Sequence, residues 1–172
     1  MRKMIGAAVL LLLLVLVLDG YNNREAIAVL PEEMPSDFDF SVRYGITGKN
    51  EINTFTDEVT KDLVADGVAK TSFAFSEDEI QSIYEQMRAI PISDKLDMSV
   101  SLSRYTCSQM PYSEEHWTII LNGKTYNYDW SEEHCATTED AKKLKALRQF
   151  IFNLVKEKEA YISLPESVGG YD

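Results

Sequence analysis

The chain has 172 residues, and 28 acidic against 17 basic residues give it a formal net charge of −11. A surface of that sign repels nucleic-acid phosphates and anionic lipid headgroups, so neither is an expected partner of the folded part. With 45% hydrophobic residues, the chain has material for one core at the length of one domain.

At the N-terminus, Arg2 and Lys3 precede an apolar run of 14 residues from Ile5 to Leu18, which Asp19 stops. A positive start and a run of that length are the pattern of an export signal. A membrane-spanning helix needs about 20 apolar residues. Ala26-Ile27-Ala28 follows with the small-x-small pattern that signal peptidase reads, which places a mature N-terminus at Val29. Leu18-Asp19-Gly20-Tyr21 stands where a bacterial lipoprotein carries its cysteine. A phenol offers no thiolate for a thioether to lipid, so lipidation at Tyr21 is excluded. Two fates stay open for residues 1–28: cleavage after Ala28, or retention as a short anchor and the sole membrane attachment. Residues 29–36, with Pro31 and Pro35, read as a linker, residues 37–165 as a single domain and 166–172 as a loose tail.

Within the domain, Phe38, Phe40, Val42, Tyr44 and Ile46 alternate with Asp39, Ser41, Arg43 and Gly45, a strand with one wet face. After a turn at Gly48-Lys49-Asn50, Ile52–Val64 reads as one extended stretch. Asp66-Gly67 turns into a third strand over Val68–Phe75. Ser76-Glu77-Asp78-Glu79 is a capping box, and Ile80, Ile83, Tyr84 and Met87 follow at helical spacing until Pro91. Leu96, Met98, Val100 and Leu102 alternate with Asp97, Ser99, Ser101 and Ser103, which predicts another strand. His116–Trp130 is a hairpin built on Asn122-Gly123. Thr137 or Thr138 opens a last helix whose apolar stripe is Ala141, Leu144, Leu147, Ile151, Leu154 and Val155. Half-wet strands bury their other face against amphipathic helices. The expectation is therefore an α+β, two-layer domain of order βββαβββα, with a mostly antiparallel sheet and two helices on one face.

A two-residue turn at Asn122-Gly123 sets Leu121 opposite Lys124, Ile119 opposite Tyr126 and Trp117 opposite Tyr128. Trp117, Tyr126, Tyr128 and Trp130 then share a face with Ile119 and Leu121, which makes them core and not a sugar platform. His116 and Asp129 meet on the wet face. The sequence lacks Gly-x-Ser-x-Gly, a Gly-rich phosphate loop, His-Glu-x-x-His and Cys-x-x-Cys. His134 and Cys135 are neighbours and point apart, so they form no nucleophile pair. The pairs Glu114/Glu115 and Glu132/Glu133 read as solvated loop carboxylates. Cys107, His116, His134 and Cys135 are zinc-type ligands without a short chelating pair, so no metal, cofactor, small-molecule substrate or enzymatic activity is expected. Export would carry Cys107 and Cys135 into an oxidising setting where they can bridge. Pairing of Leu96–Tyr105 with the strand from His116 would bring them to one end of the sheet. Two free thiols are the alternative.

The stretches YGITGKNEINTFTDEVTKDLV, SEDEIQSIYEQM, ILNGKTYNYDW and LPESVGGYD together resemble a group of small, lipoprotein-like exported proteins of Bacillus-type bacteria. The resemblance covers most of residues 37–172. It implies envelope localisation, outside the cell or on the outer face of the cytoplasmic membrane, and an α+β fold, and it carries no catalytic residues. Tyr21 departs from it. Two functions follow as expectations: a non-enzymatic envelope module that binds a protein partner, or an acidic inhibitor or immunity-type protein for a basic target.

Overall fold

The period of two that opens the domain becomes β1 (Asp39–Ile46) in the computed structural model, which describes residues 30–99 and 107–171. Phe40, Val42 and Tyr44 are buried, and Arg43 on the opposite face is exposed. The chain reverses through Thr47 and Gly48, both at positive φ, into β2 (Asn50–Asn53). The stretch expected to run unbroken from Ile52 to Val64 is two strands. A turn, with Asp57 at φ 50°, separates β2 from β3 (Glu58–Val64). Thr54, Phe55 and Thr56 are strand formers by type and conceal that turn in the sequence. A contact 14 residues away fixes it, where the Thr54 hydroxyl donates to the Phe40 carbonyl at 2.6 Å. β4 (Gly67–Ser72) completes this half of the sheet.

The helix α1 (Glu77–Met87) has the capping box the sequence specifies. Glu79 N–H donates to Ser76 Oγ at 3.3 Å, and Ser76 N–H donates to Glu79 Oε2 at 2.7 Å. β5 (Ser113–Leu121) and β6 (Lys124–Ser131) form the hairpin in the expected register. Thr138 caps α2 (Glu139–Val155), its hydroxyl accepting from Ala141 N–H at 3.1 Å. One further turn, α3, spans Glu159–Ile162.

The strands lie in the order β4-β3-β2-β1-β5-β6, every neighbour antiparallel. Phe40, Val42, Ile52, Trp117 and Ile119 from the sheet form one core with Ile83, Tyr84 and Met87 of α1 and Leu144 and Ile151 of α2. The molecule is thus an α+β domain with one sheet face under the helices. Among the described residues, four strands precede α1 and two follow it.

Leu96–Ser99 do not form the expected strand. Asp97 N–H instead donates to Asp140 Oδ2 at 3.1 Å, and the Thr138 hydroxyl donates to the Asp97 carbonyl. The start of α2 therefore takes the backbone groups that a ladder would use, while Leu96 and Met98 still rest on the core. Val100–Ser103, the remainder of that predicted strand, lie outside the described residues, as do residues 1–28 with Ala26 and Ala28. Among the described residues, no helix is long and apolar enough to cross a membrane.

Ser167, Val168 and Tyr171, within the stretch expected as a tail, are bonded to β3 and its surroundings. Ser167 Oγ donates to the Asp62 carbonyl at 2.7 Å, and Val168 exchanges two backbone bonds of 3.1 Å with Leu63 and Ala65. The Tyr171 hydroxyl donates to Asp62 Oδ2 at 2.5 Å and accepts from Lys49 Nζ at 2.9 Å.

Candidate functional site

Helices on one face leave the second face of the antiparallel sheet to polar side chains. Register aligns them in two rows across all six strands. One row runs Lys70, Thr60, Glu51, Arg43, His116, Asp129. The other runs Ser72, Glu58, Asn53, Ser41, Thr118, Asn127. His116 and Asp129 meet as the sequence predicts, Nδ1 to Oδ1 at 2.7 Å, and Glu114 Oε2 lies 3.6 Å from Nε2. Both ring nitrogens face carboxylates and not a hydroxyl or thiol, so this histidine activates no nucleophile in the observed geometry. Gly48 lies against this imidazole. A Cβ there would come within 3.3 Å of His116 Cδ2, and its φ of 58° already favours glycine.

The core side holds an ion pair that the sequence reading missed. Glu115, read as a solvated loop residue, is 3% exposed. Arg148 of α2 donates to its Oε1 from Nη2 at 3.0 Å and from Nε at 3.2 Å, and Trp117 Nε1 donates to Oε2 at 3.3 Å. The guanidinium also lies 4.9 Å from the Tyr44 ring centroid. Burial pushes the Glu115 carboxyl above the ordinary glutamate range, against the charge and hydrogen bonds of Arg148, and burial likewise raises Tyr44. The signal was present in the hairpin register. Glu115 shares the phase of Trp117 and pairs with Trp130.

Cys107 and Cys135 form a disulfide, with Cα atoms 5.8 Å apart. The route differs from the expected strand pairing. Gln109 lies along the chain that leaves β6, its N–H donating to the Glu133 carbonyl and its side-chain amide to the Glu132 carbonyl, both at 2.9 Å. The sulfurs of the zinc-type set are bonded to each other, and among the described residues no three His, Cys, Asp or Glu side chains cluster to hold a metal. Alkylating the denatured, unreduced protein should add no adduct, and reduction should then expose two thiols to mass analysis. Closing a loop across 28 residues, the bridge should contribute about 3–4 kcal/mol on the chain-entropy model, read as the loss of stability on reduction.

A groove of about 550 Å³ runs beside β6, between Tyr126–Asp129 and the loop carrying Asp94 and Leu96–Ser99. Tyr128 pins that loop. Its hydroxyl accepts from Ser93 N–H and donates to the Ser93 carbonyl, each at 3.0 Å. Burial holds this phenol above its ordinary range. Lys124 joins two of the groove's lining residues, paired with Asp94 and 4.7 Å from the Tyr126 ring centroid.

Compared with known proteins, the chain matches no family model, no curated protein and no solved structure.

Proposed function

We propose that the protein is an exported, non-enzymatic module of the bacterial cell envelope that binds a protein partner through its polar sheet face or the β6 rim. The observation that carries this reading is the sheet itself. Six strands carry two polar rows, accessible except at the buried Thr60, and a groove at one edge, while the ionisable groups found together are matched as acid–base or donor–acceptor pairs. Export is supported by the Arg2-Lys3 start, the apolar run to Leu18 and a disulfide of the kind that persists in oxidising compartments. The resemblance to lipoprotein-like exported proteins points the same way. The net charge of −11 favours a second reading, an acidic inhibitor or immunity-type protein for a basic target.

Passing envelope extract over the immobilised protein at low and high salt separates the readings. Broad, weak or wall-associated retention supports the module. One tight basic partner released by salt supports the inhibitor. Intact mass of protein from the producing cell should correspond to a chain starting at Val29. A species retaining Met1 in the membrane would establish the anchor, and an added acyl mass would overturn the reading of Tyr21.

A further inference from the structure

We propose that the outer edge of β6 and the groove beside it receive an extended, basic segment of the partner protein as an added strand. This rests on the interaction-module reading and gives it a place and a chemistry.

Among the described residues, β6 is an edge strand of the sheet. The two-residue turn at Asn122-Gly123 makes Leu121 and Lys124 a hydrogen-bonded pair, so bonds to β5 recur at Tyr126 and Tyr128. The N–H and C=O groups of Thr125, Asn127 and Asp129 therefore point outward, and among the described residues none pairs with them. Exposed edges are normally blunted by bulges, charge, proline or short length. The opposite edge follows that rule: β4 has six residues, carries Lys70 and pairs with β3 across an irregularity at Asp62/Val64. β6 has eight residues in regular register, without proline or bulge, and its two charges, Lys124 and Asp129, are paired with Asp94 and His116. It is an edge suited to strand addition.

The groove supplies the side-chain complement. Leu96, Met98 and Tyr126 are half-buried and offer apolar contact. Asp94, Asp97 and Asp129 are exposed carboxylates along it, Asp94 paired with Lys124 and Asp129 with His116. A strand that alternates lysine or arginine with apolar residues fits both the main-chain edge and this charge.

The test uses a capped octapeptide of alternating lysine and valine, with a glutamate–valine peptide as control, titrated calorimetrically into the whole protein at low and physiological salt. Expected results are binding of the basic peptide alone, weakening with salt, and slowed amide exchange at Thr125, Asn127 and Asp129. Asn127→Pro removes an outward N–H that β5 does not use, and edge strands tolerate proline there, so it should fold and lose about tenfold or more in affinity. The exchange measurement on the unmodified protein decides the matter if that variant does not fold. The inference is overturned if neither peptide binds, if slowed exchange maps to another region, or if folded Asn127→Pro binds the basic peptide equally well. A dimer in sedimentation that Asn127→Pro dissolves would assign the edge to a second copy and overturn the partner. Equal retention of an envelope partner by both proteins would sink the edge alone and leave the module reading intact. Retention by neither would sink that reading too.

Discussion

Arg148→Ala should lower the unfolding free energy by about 3–5 kcal/mol, because it strands a charge that the fold has already dehydrated. The side chains concerned are 13% and 4% exposed for Arg148 and Glu115, so solvent screens the pair little. Arg148 supplies two of the three hydrogen bonds on the carboxylate and the nearest positive charge. Without it, only protonation relieves Glu115, which gives the variant a distinctive pH dependence. An acid held above its ordinary pKa in the folded state binds its proton more tightly folded than unfolded. Its contribution is fully present below the ordinary glutamate range and is lost as pH rises through the folded value. Arg148→Ala removes the influences that oppose that shift, so its destabilisation should grow from acidic to mildly alkaline pH. Adding Glu115→Gln should recover part of the loss and flatten the pH dependence. Urea unfolding of the three proteins at both pH values measures this. A pH-independent loss of under about 1 kcal/mol would show that water reaches the pair.

Trp117→Ala should cost about 3–5 kcal/mol as a cavity-forming change. Trp117 is 1% exposed at the centre of the core, with the Phe40 ring centroid 6.3 Å away, and its indole N–H is one of the donors to Glu115. Asn127→Ala, one strand over on the opposite face, should change stability by no more than about 0.5 kcal/mol, since Asn127 is exposed and, among the described residues, its amide accepts from the Thr118 hydroxyl alone, at 3.1 Å. The contrast tests the register, because a slip of one residue would exchange the two faces. Similar costs for both substitutions in denaturant unfolding would refute the hairpin as described.

These residues also mark what the sequence made legible. Local chemistry specifies its own outcome: the Ser76 capping box, the Asn122-Gly123 turn and the alternation from Phe38 to Tyr44 each form from neighbours within a few residues. The face of the hairpin, and with it the His116–Asp129 contact, followed from one turn length. What remained hidden depends on distant partners. The turn after β2 is tied back to Phe40, the backbone of Asp97 is taken by the start of α2, and Glu115 is neutralised by a guanidinium 33 positions later. The groove was hidden for the same reason, since a phenol on β6 holds its loop in place 35 positions away. Cys107 and Cys135 were paired correctly through a strand contact that Leu96–Ser99 do not make, because what fixes them is the short run of bonds from Gln109.

The tie between Asp62 and Tyr171 spans 109 positions, and it sets an order of events. β2, β3 and β4 follow one another through tight turns and can assemble as soon as they are synthesised, whereas contacts between remote positions close slowly. Until Tyr171 arrives, the Asp62 carboxylate must stay hydrated at the margin of the strands already paired. This corner therefore matures after the strands it closes, and a nascent chain still short of Tyr171 would hold the early strands with that margin open.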